Sequence, residues 1–142
     1  MDNRLTYYAK AHVRFMFLCD SIQQGDDRQI DVSGLVSDLL FTDLTEKMQP
    51  VDLDALLVVG IHTEDRFRRY GLTVKVEEAG RPEEVLLYSP IGFVDGEFLP
   101  IKCQRVDIKL HGPGTFWFNA YLDDALAARY PLTVEYAQMS PS

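Results

Sequence analysis

Residues 105–122 read RVDIKLHGPGTFWFNAYL. Val106, Ile108 and Leu110 alternate with Arg105, Asp107 and Lys109, the two-residue period of a strand with one apolar face. The segment from His111 through Gly112, Pro113 and Gly114 to Thr115 then turns the chain, since Gly supplies backbone freedom and Pro a fixed φ. Beyond it Phe116, Phe118, Ala120 and Leu122 take up the same period and should face the same core. Trp117, Asn119 and Tyr121 must then project from the opposite face, the two aromatics roughly 13 Å apart at four strand steps.

Working outward, a last hairpin places Tyr130, Leu132 and Val134 in a final strand. Pro131 lies within it, which predicts an edge or a bulge there, because proline cannot donate to a ladder. Upstream, Leu72, Val74 and Val76 alternate with Thr73, Lys75 and Glu77, and residues 79–84, with Gly80 and Pro82, turn the chain into residues 85–88. Residues 55–63 read ALLVVGIHT, almost wholly apolar and Val-rich, which predicts a central strand buried on both faces. From residue 9 to 19, Ala9, Ala11, Val13, Phe15, Phe17 and Cys19 alternate with Lys10, His12, Arg14, Met16 and Leu18. A polar break at 23–28 precedes Ile30, Val32 and Gly34, a hairpin partner. Between 35 and 48 a helical stripe of Leu35, Val36, Leu39, Leu40, Leu44 and Met48 competes with a strand at 38–42. The preferred reading is a strand to about Phe41, then a turn or one short helix ending before Pro50.

About eight or nine short strands with turn signals every 8 to 12 residues or so predict an all-β antiparallel sandwich, Ig-like or jelly-roll-like, with a closed barrel as the alternative. The 142 residues carry 14 Lys and Arg against 22 Asp and Glu, a formal charge of −8. A chain of this size buries roughly two thirds of its unfolded surface, and 46% hydrophobic residues exclude wholesale disorder. Its acidic balance repels phosphate backbones, so no nucleic acid partner is expected from global charge. The longest apolar stretch, 55–61, is far short of the roughly 20 residues of a spanning helix. Residues 1–10, MDNRLTYYAK, lack the basic and apolar regions of a secretory signal. The expectation is a cytoplasmic chain without membrane contact, folded as one domain over 1–142. Cys19 and Cys103, far apart and each in an apolar run, read as buried thiols.

Several of these segments are familiar. Leu18-Cys19-Asp20-Ser21, the polar turn, and Ile30-Asp31-Val32-Ser33-Gly34-Leu35 resemble the opening of a family of short, uncharacterised bacterial proteins predicted to be β-sandwiches. The likeness continues through Pro50, the apolar strand at 56–61 and Gly114-Thr115-Phe116-Trp117-Phe118. It ends at Leu122-Asp123-Asp124 and Pro131-Leu132-Thr133-Val134. The family usually places an Asp-Gly type turn before its last strand, whereas residues 123–128 here read as longer and Ala-rich. The resemblance implies a sandwich fold and transfers no chemistry.

No catalytic constellation emerges from the spacing. His12, His62 and His111 have no partner at a metal-ligand or triad interval, and no Gly-x-Ser-x-Gly elbow positions Ser21 or Ser89. The acidic pairs Asp26-Asp27, Asp52/Asp54 and Asp123-Asp124 lack the spaced array that wraps calcium and read as loop aspartates. No phosphate-binding glycine loop occurs, and no metal or cofactor is expected. Two candidate binding regions remain. Arg66, Arg68, Arg69 and Tyr70 form the one concentrated basic patch, able to grip a carboxylate or phosphate; a solvated connecting loop would look the same. The Trp117, Asn119 and Tyr121 face, expected to be flanked by Arg105, Asp107 and Lys109 on one side and Arg129, Thr133 and Glu135 on the other, suits a protein contact or a sugar platform. A non-enzymatic interaction or structural subunit is therefore the leading expectation. A small-ligand or carbohydrate module comes second, and a hydrolase with a site built from distant residues third. Self-association through the strand at 130–136 is expected if its edge is unpaired.

Overall fold

The computed structural model describes residues 11–25, 29–41, 51–65, 67–92 and 101–136. These contain ten strands and no helix: β1 His12–Cys19, β2 Ser21–Gln24, β3 Ile30–Ser33, β4 Asp38–Phe41, β5 Val51–His62, β6 Arg69–Glu78, β7 Glu84–Gly92, β8 Ile101–Leu110, β9 Gly114–Leu122 and β10 Ala125–Tyr136. They form a three-stranded sheet, β1-β5-β8, a five-stranded sheet, β4-β10-β9-β6-β7, and a β2-β3 ribbon. The chain is thus all-β. The short helix considered for residues 42–49 lies outside the described residues.

Strand periodicity sends alternate apolar side chains inward from both larger sheets. Leu57, Val59 and Ile61 of β5 join Leu72 and Val74 of β6, Phe116 and Phe118 of β9, and Leu132 and Val134 of β10 in one core. Full burial of each such side chain contributes about 1.5–3 kcal/mol against exposure. β5 is the middle strand of its sheet, and Leu57, Val58, Val59 and Ile61 are completely buried, as the apolar run at 55–63 predicts. Gly60 leaves room for the Phe15 ring, which a Cβ there would meet at 2.0 Å.

A short crossing segment ties the sheets together along one side. Val36 N donates to the Leu18 carbonyl at 2.8 Å, Thr133 N donates to Ser37 O at 3.0 Å, and the Tyr130 hydroxyl donates to the Val36 carbonyl. Gly34 lets the chain enter this crossing, with φ of 70° and a would-be Cβ only 2.3 Å from Asp20 Oδ2.

Several expectations are corrected. Not every pairing is antiparallel, since β4 runs parallel to β10 from Asp38 opposite Thr133 to Phe41 opposite Tyr136. The whole intervening chain serves as the long connection that parallel neighbours need. The edge at 133–136 is therefore covered. Pro131 precedes this pairing: its position matches the parity of Thr133, whose N–H points to the β4 side, so proline's missing donor falls where β10 has no neighbour on that side. The bulge in β10 lies elsewhere, between Leu126 and Ala128. Residues 123–128 are not a long loop. Asp123 and Asp124 alone make a two-residue turn, with φ of 49° and 70°, and the Ala-rich stretch belongs to β10. In β1 a register shift between Val13 and Phe15 breaks the simple alternation, so Val13 shares a face with Met16 and Leu18. Residues 30–33 form their hairpin with Ser21–Gln24 and not with the strand at 9–19, which pairs with β5, and residues 23 and 24 are strand rather than break. Cys103 is exposed rather than buried, because its position on edge strand β8 points away from the core; Cys19 is buried. Burial first, and the Asp20 carboxylate second, push the Cys19 thiol above its ordinary pKa. Asp52 and Asp54 lie in β5, not in a loop.

Candidate functional site

The outer face of the five-stranded sheet is built in three rows. Tyr121 stands between Thr73 and Leu126, Asn119 between Lys75 and Arg129, and Trp117 between Glu77 and Pro131. Arg105, Asp107 and Lys109 do not flank this face, contrary to expectation. The turn at 111–113 carries the chain from one sheet to the other, so β8 pairs with β5 and β9 with β6 and β10.

Arg129 interlocks the lower rows. Its guanidinium carbon sits 4.2 Å from the Trp117 ring centroid, its Nε donates to Asn119 Oδ1 at 2.9 Å, and its Nη2 donates to Glu77 at 3.0 Å. Lys75 Nζ lies 4.9 Å from the Tyr121 ring centroid. Glu83 reaches over from the β6–β7 turn: the Tyr121 hydroxyl donates to its two oxygens at 3.1 and 3.0 Å, and Asn119 Nδ2 donates at 3.5 Å. Asn119 is only 2% exposed, so it braces the face from beneath, while Trp117 and Tyr121 are half-buried. Around this ordered centre, Tyr88, Val85 and Leu126 are 71%, 61% and 54% exposed. Parity puts all three on the same outer face, because Tyr88 pairs with Thr73, Val85 with Lys75 and Leu126 with Tyr121.

Burial first, and the Glu83 hydrogen bond second, raise the Tyr121 phenol above its ordinary pKa. The folded phenol therefore keeps its proton to higher pH than the unfolded one. Its contribution to stability is fully present below about pH 10 and is lost as pH rises through the folded value. In a Glu83→Gln variant, one tyrosine should form phenolate at lower pH than in the wild type. An unchanged alkaline absorbance titration would rule out the Tyr121–Glu83 contact.

The basic patch is divided by the fold. Arg66 lies outside the described residues. Arg68 and Arg69 are exposed, while Tyr70 is 4% exposed and faces the core, its hydroxyl 2.9 Å from that of Thr63. Thr63 in turn accepts from Asp65 N at 3.1 Å, and Asp65 Oδ1 accepts from Phe67 N at 3.1 Å, which folds the loop tightly and leaves Phe67 fully exposed. Arg68 Nη2 donates to Asp123 Oδ2 at 2.8 Å, and its guanidinium carbon lies 4.8 Å from the Tyr70 ring centroid.

Two arrangements escape sequence reasoning. His111 Nδ1 lies 2.9 Å from Glu78 Oε2, and Arg81 Nε lies 3.6 Å from the same oxygen, in a cleft of about 370 Å³. His111 thus has a partner after all, 33 positions away, where no spacing rule looks. Asp123 is the other: besides holding Arg68, its Oδ1 accepts from Gly71 N at 2.8 Å and its own N–H donates to Gly71 O at 3.0 Å. The only hint was an Asp-Asp pair at a turn. Among the described residues no group of three or more His, Cys, Asp or Glu side chains converges to hold a metal ion, and no helix is long and apolar enough to cross a membrane.

The chain is therefore an all-β protein whose most developed surface is an ordered aromatic and charged sheet face. No protein-family model matches it, and no curated protein matches it.

Proposed function

We propose that this protein is a non-enzymatic interaction subunit that docks a protein partner on the outer face of its five-stranded sheet. The supporting observation is one face that combines the Arg129–Trp117 stack and the Tyr121–Glu83 pair with exposed Tyr88, Val85 and Leu126. Trp, Tyr and Arg are the residues that dominate interface energetics, and side chains already ordered lose little freedom on binding. Lys75, Arg129, Glu77 and Glu83 balance in charge across the centre, which favours a partner that meets the face through apolar and hydrogen-bonding groups. A sugar platform is disfavoured, because the Arg129 guanidinium already occupies a face of the Trp117 ring. We also read the two larger sheets as the layers of one β-sandwich, a reading supported by their shared core.

The test is affinity purification of the wild type from its native cell extract under gentle conditions, beside a Tyr88→Glu, Val85→Glu double variant and an Asp52→Lys control. Both changes in the double variant lie at exposed positions on edge strand β7. A defined protein recovered in stoichiometric amount with wild type and control, but not with the double variant, is expected. Recovery with all three forms, or wild type running alone at monomer mass, would refute the proposed docking face.

A further inference from the structure

A groove of about 480 Å³ lies between the N-terminal part of β1 and the β9–β10 turn. Its volume falls within the usual 300–1,000 Å³ of small-molecule sites. Ala11, Val13, Leu122, Ala125, Leu126 and Ala127 supply apolar lining beside the Tyr70 ring, and the charged or polar lining comes from Arg68, Asp123 and His12. That composition, mainly apolar with a few fixed polar groups, is what an amphipathic ligand requires.

Arg68 is the fixed group. Asp123 holds it by a 2.8 Å hydrogen bond, the Tyr70 ring supports it from one side, and Asp123 is itself pinned to Gly71 by two backbone contacts. A guanidinium carries five N–H donors, and among the described residues Asp123 is the one side chain that accepts from Arg68. Among the described residues no other side chain takes up its remaining donors, and a carboxylate, whose two oxygens match the guanidinium fork, suits them. Because Asp123 already offsets one positive charge, a monoanion fits better than a dianionic phosphate, which would meet the Asp123 carboxylate at close range.

We infer that this groove binds a small monocarboxylate with an apolar chain, its carboxylate on Arg68 and its chain along the Val13 and Leu122 wall. The inference goes beyond the sheet-face proposal and shares only Leu126 with that face. Octanoate is a suitable probe: at roughly the 30 Å³ that a water-sized group takes in a liquid, its ten or so heavy atoms fill about 300 Å³.

The experiment is calorimetric titration of the full chain with octanoate, octanamide and acetate, using wild type, Arg68→Gln and Ala127→Trp. Saturable octanoate binding at submillimolar concentration is expected, with octanamide and acetate each at least about tenfold weaker, the scale of one lost charge-assisted hydrogen bond or a lost apolar contact. Arg68→Gln should weaken octanoate about tenfold and leave octanamide unchanged. Ala127→Trp, at an exposed position, should abolish binding of both by filling the groove while the urea midpoint stays near wild type. Equal affinity for octanoate and octanamide, no saturation by octanoate, or undiminished octanoate binding in Ala127→Trp would each overturn the inference.

Discussion

A Phe118→Ala variant is expected to lose about 3–5 kcal/mol of unfolding free energy, the range for truncating a buried aromatic in a core that relaxes only partly. Phe118 is completely buried on β9, between Val76 of β6 and Tyr130 of β10, with its ring centroid 6.4 Å from that of Tyr130. Since β9 is the middle strand of the five-stranded sheet, no edge can move in to fill the cavity. One residue earlier, Trp117 points to the outer face, so Trp117→Ala should cost only about 1 kcal/mol, the value of its stack with Arg129 and the apolar area it covers. Urea denaturation of the two variants measures both figures. A larger loss for Trp117→Ala than for Phe118→Ala would invert the facing of β9 and remove the basis of the proposed docking surface.

Asp123→Ala should cost about 2–3 kcal/mol, although the residue is exposed. Its carboxylate accepts from a backbone N–H and from Arg68, and it sits at φ of 49°, where a short polar side chain is tolerated far better than a methyl. The exposed ion pair itself contributes little of this, since solvent screens it. Asp124 makes no such bond among the described residues and occupies φ of 70°, so Asp124→Gly should do the opposite and stabilise by about 0.5–1 kcal/mol, relieving the left-handed strain. Thermal and urea unfolding of the pair checks the contrast. If both substitutions destabilise equally, the clamp on Gly71 is not what holds the turn.

Local chemistry made much of the fold legible. The alternation of Phe116, Phe118, Ala120 and Leu122, the apolar run through Leu57, Val58 and Val59, and the Gly80 and Pro82 turn all appear where the period and turn residues place them. The alternation also identified Trp117 and Tyr121 as outward-facing. It missed the bulge that brings Val13 onto the face of Met16, because one extra residue in a ladder leaves no mark in composition. Strand parity alone groups Asn119 with its neighbours as a contact residue, yet Glu83 and Arg129 cover it. The apolar character of the residues around Cys103 suggests burial, but that property does not say which side of an edge strand is open.

By itself the sequence determined most of the strand-forming segments and turns, the all-β class and the facing of β9, because strand period and turn propensity act between residues a few positions apart; it left out β2 and the ends of β5 and β7. Tertiary structure alone decided which strands are neighbours. It separated β8 from β9, ran β4 parallel to β10, and brought Glu83 to Tyr121, Glu78 to His111 and Asp123 to Gly71 and Arg68. Those contacts span 33 to 55 positions or, for β4 and β10, most of the chain. Their partners are selected by the shared burial of two sheet faces, a free energy that depends on how the whole apolar core closes and on no local pattern of residues.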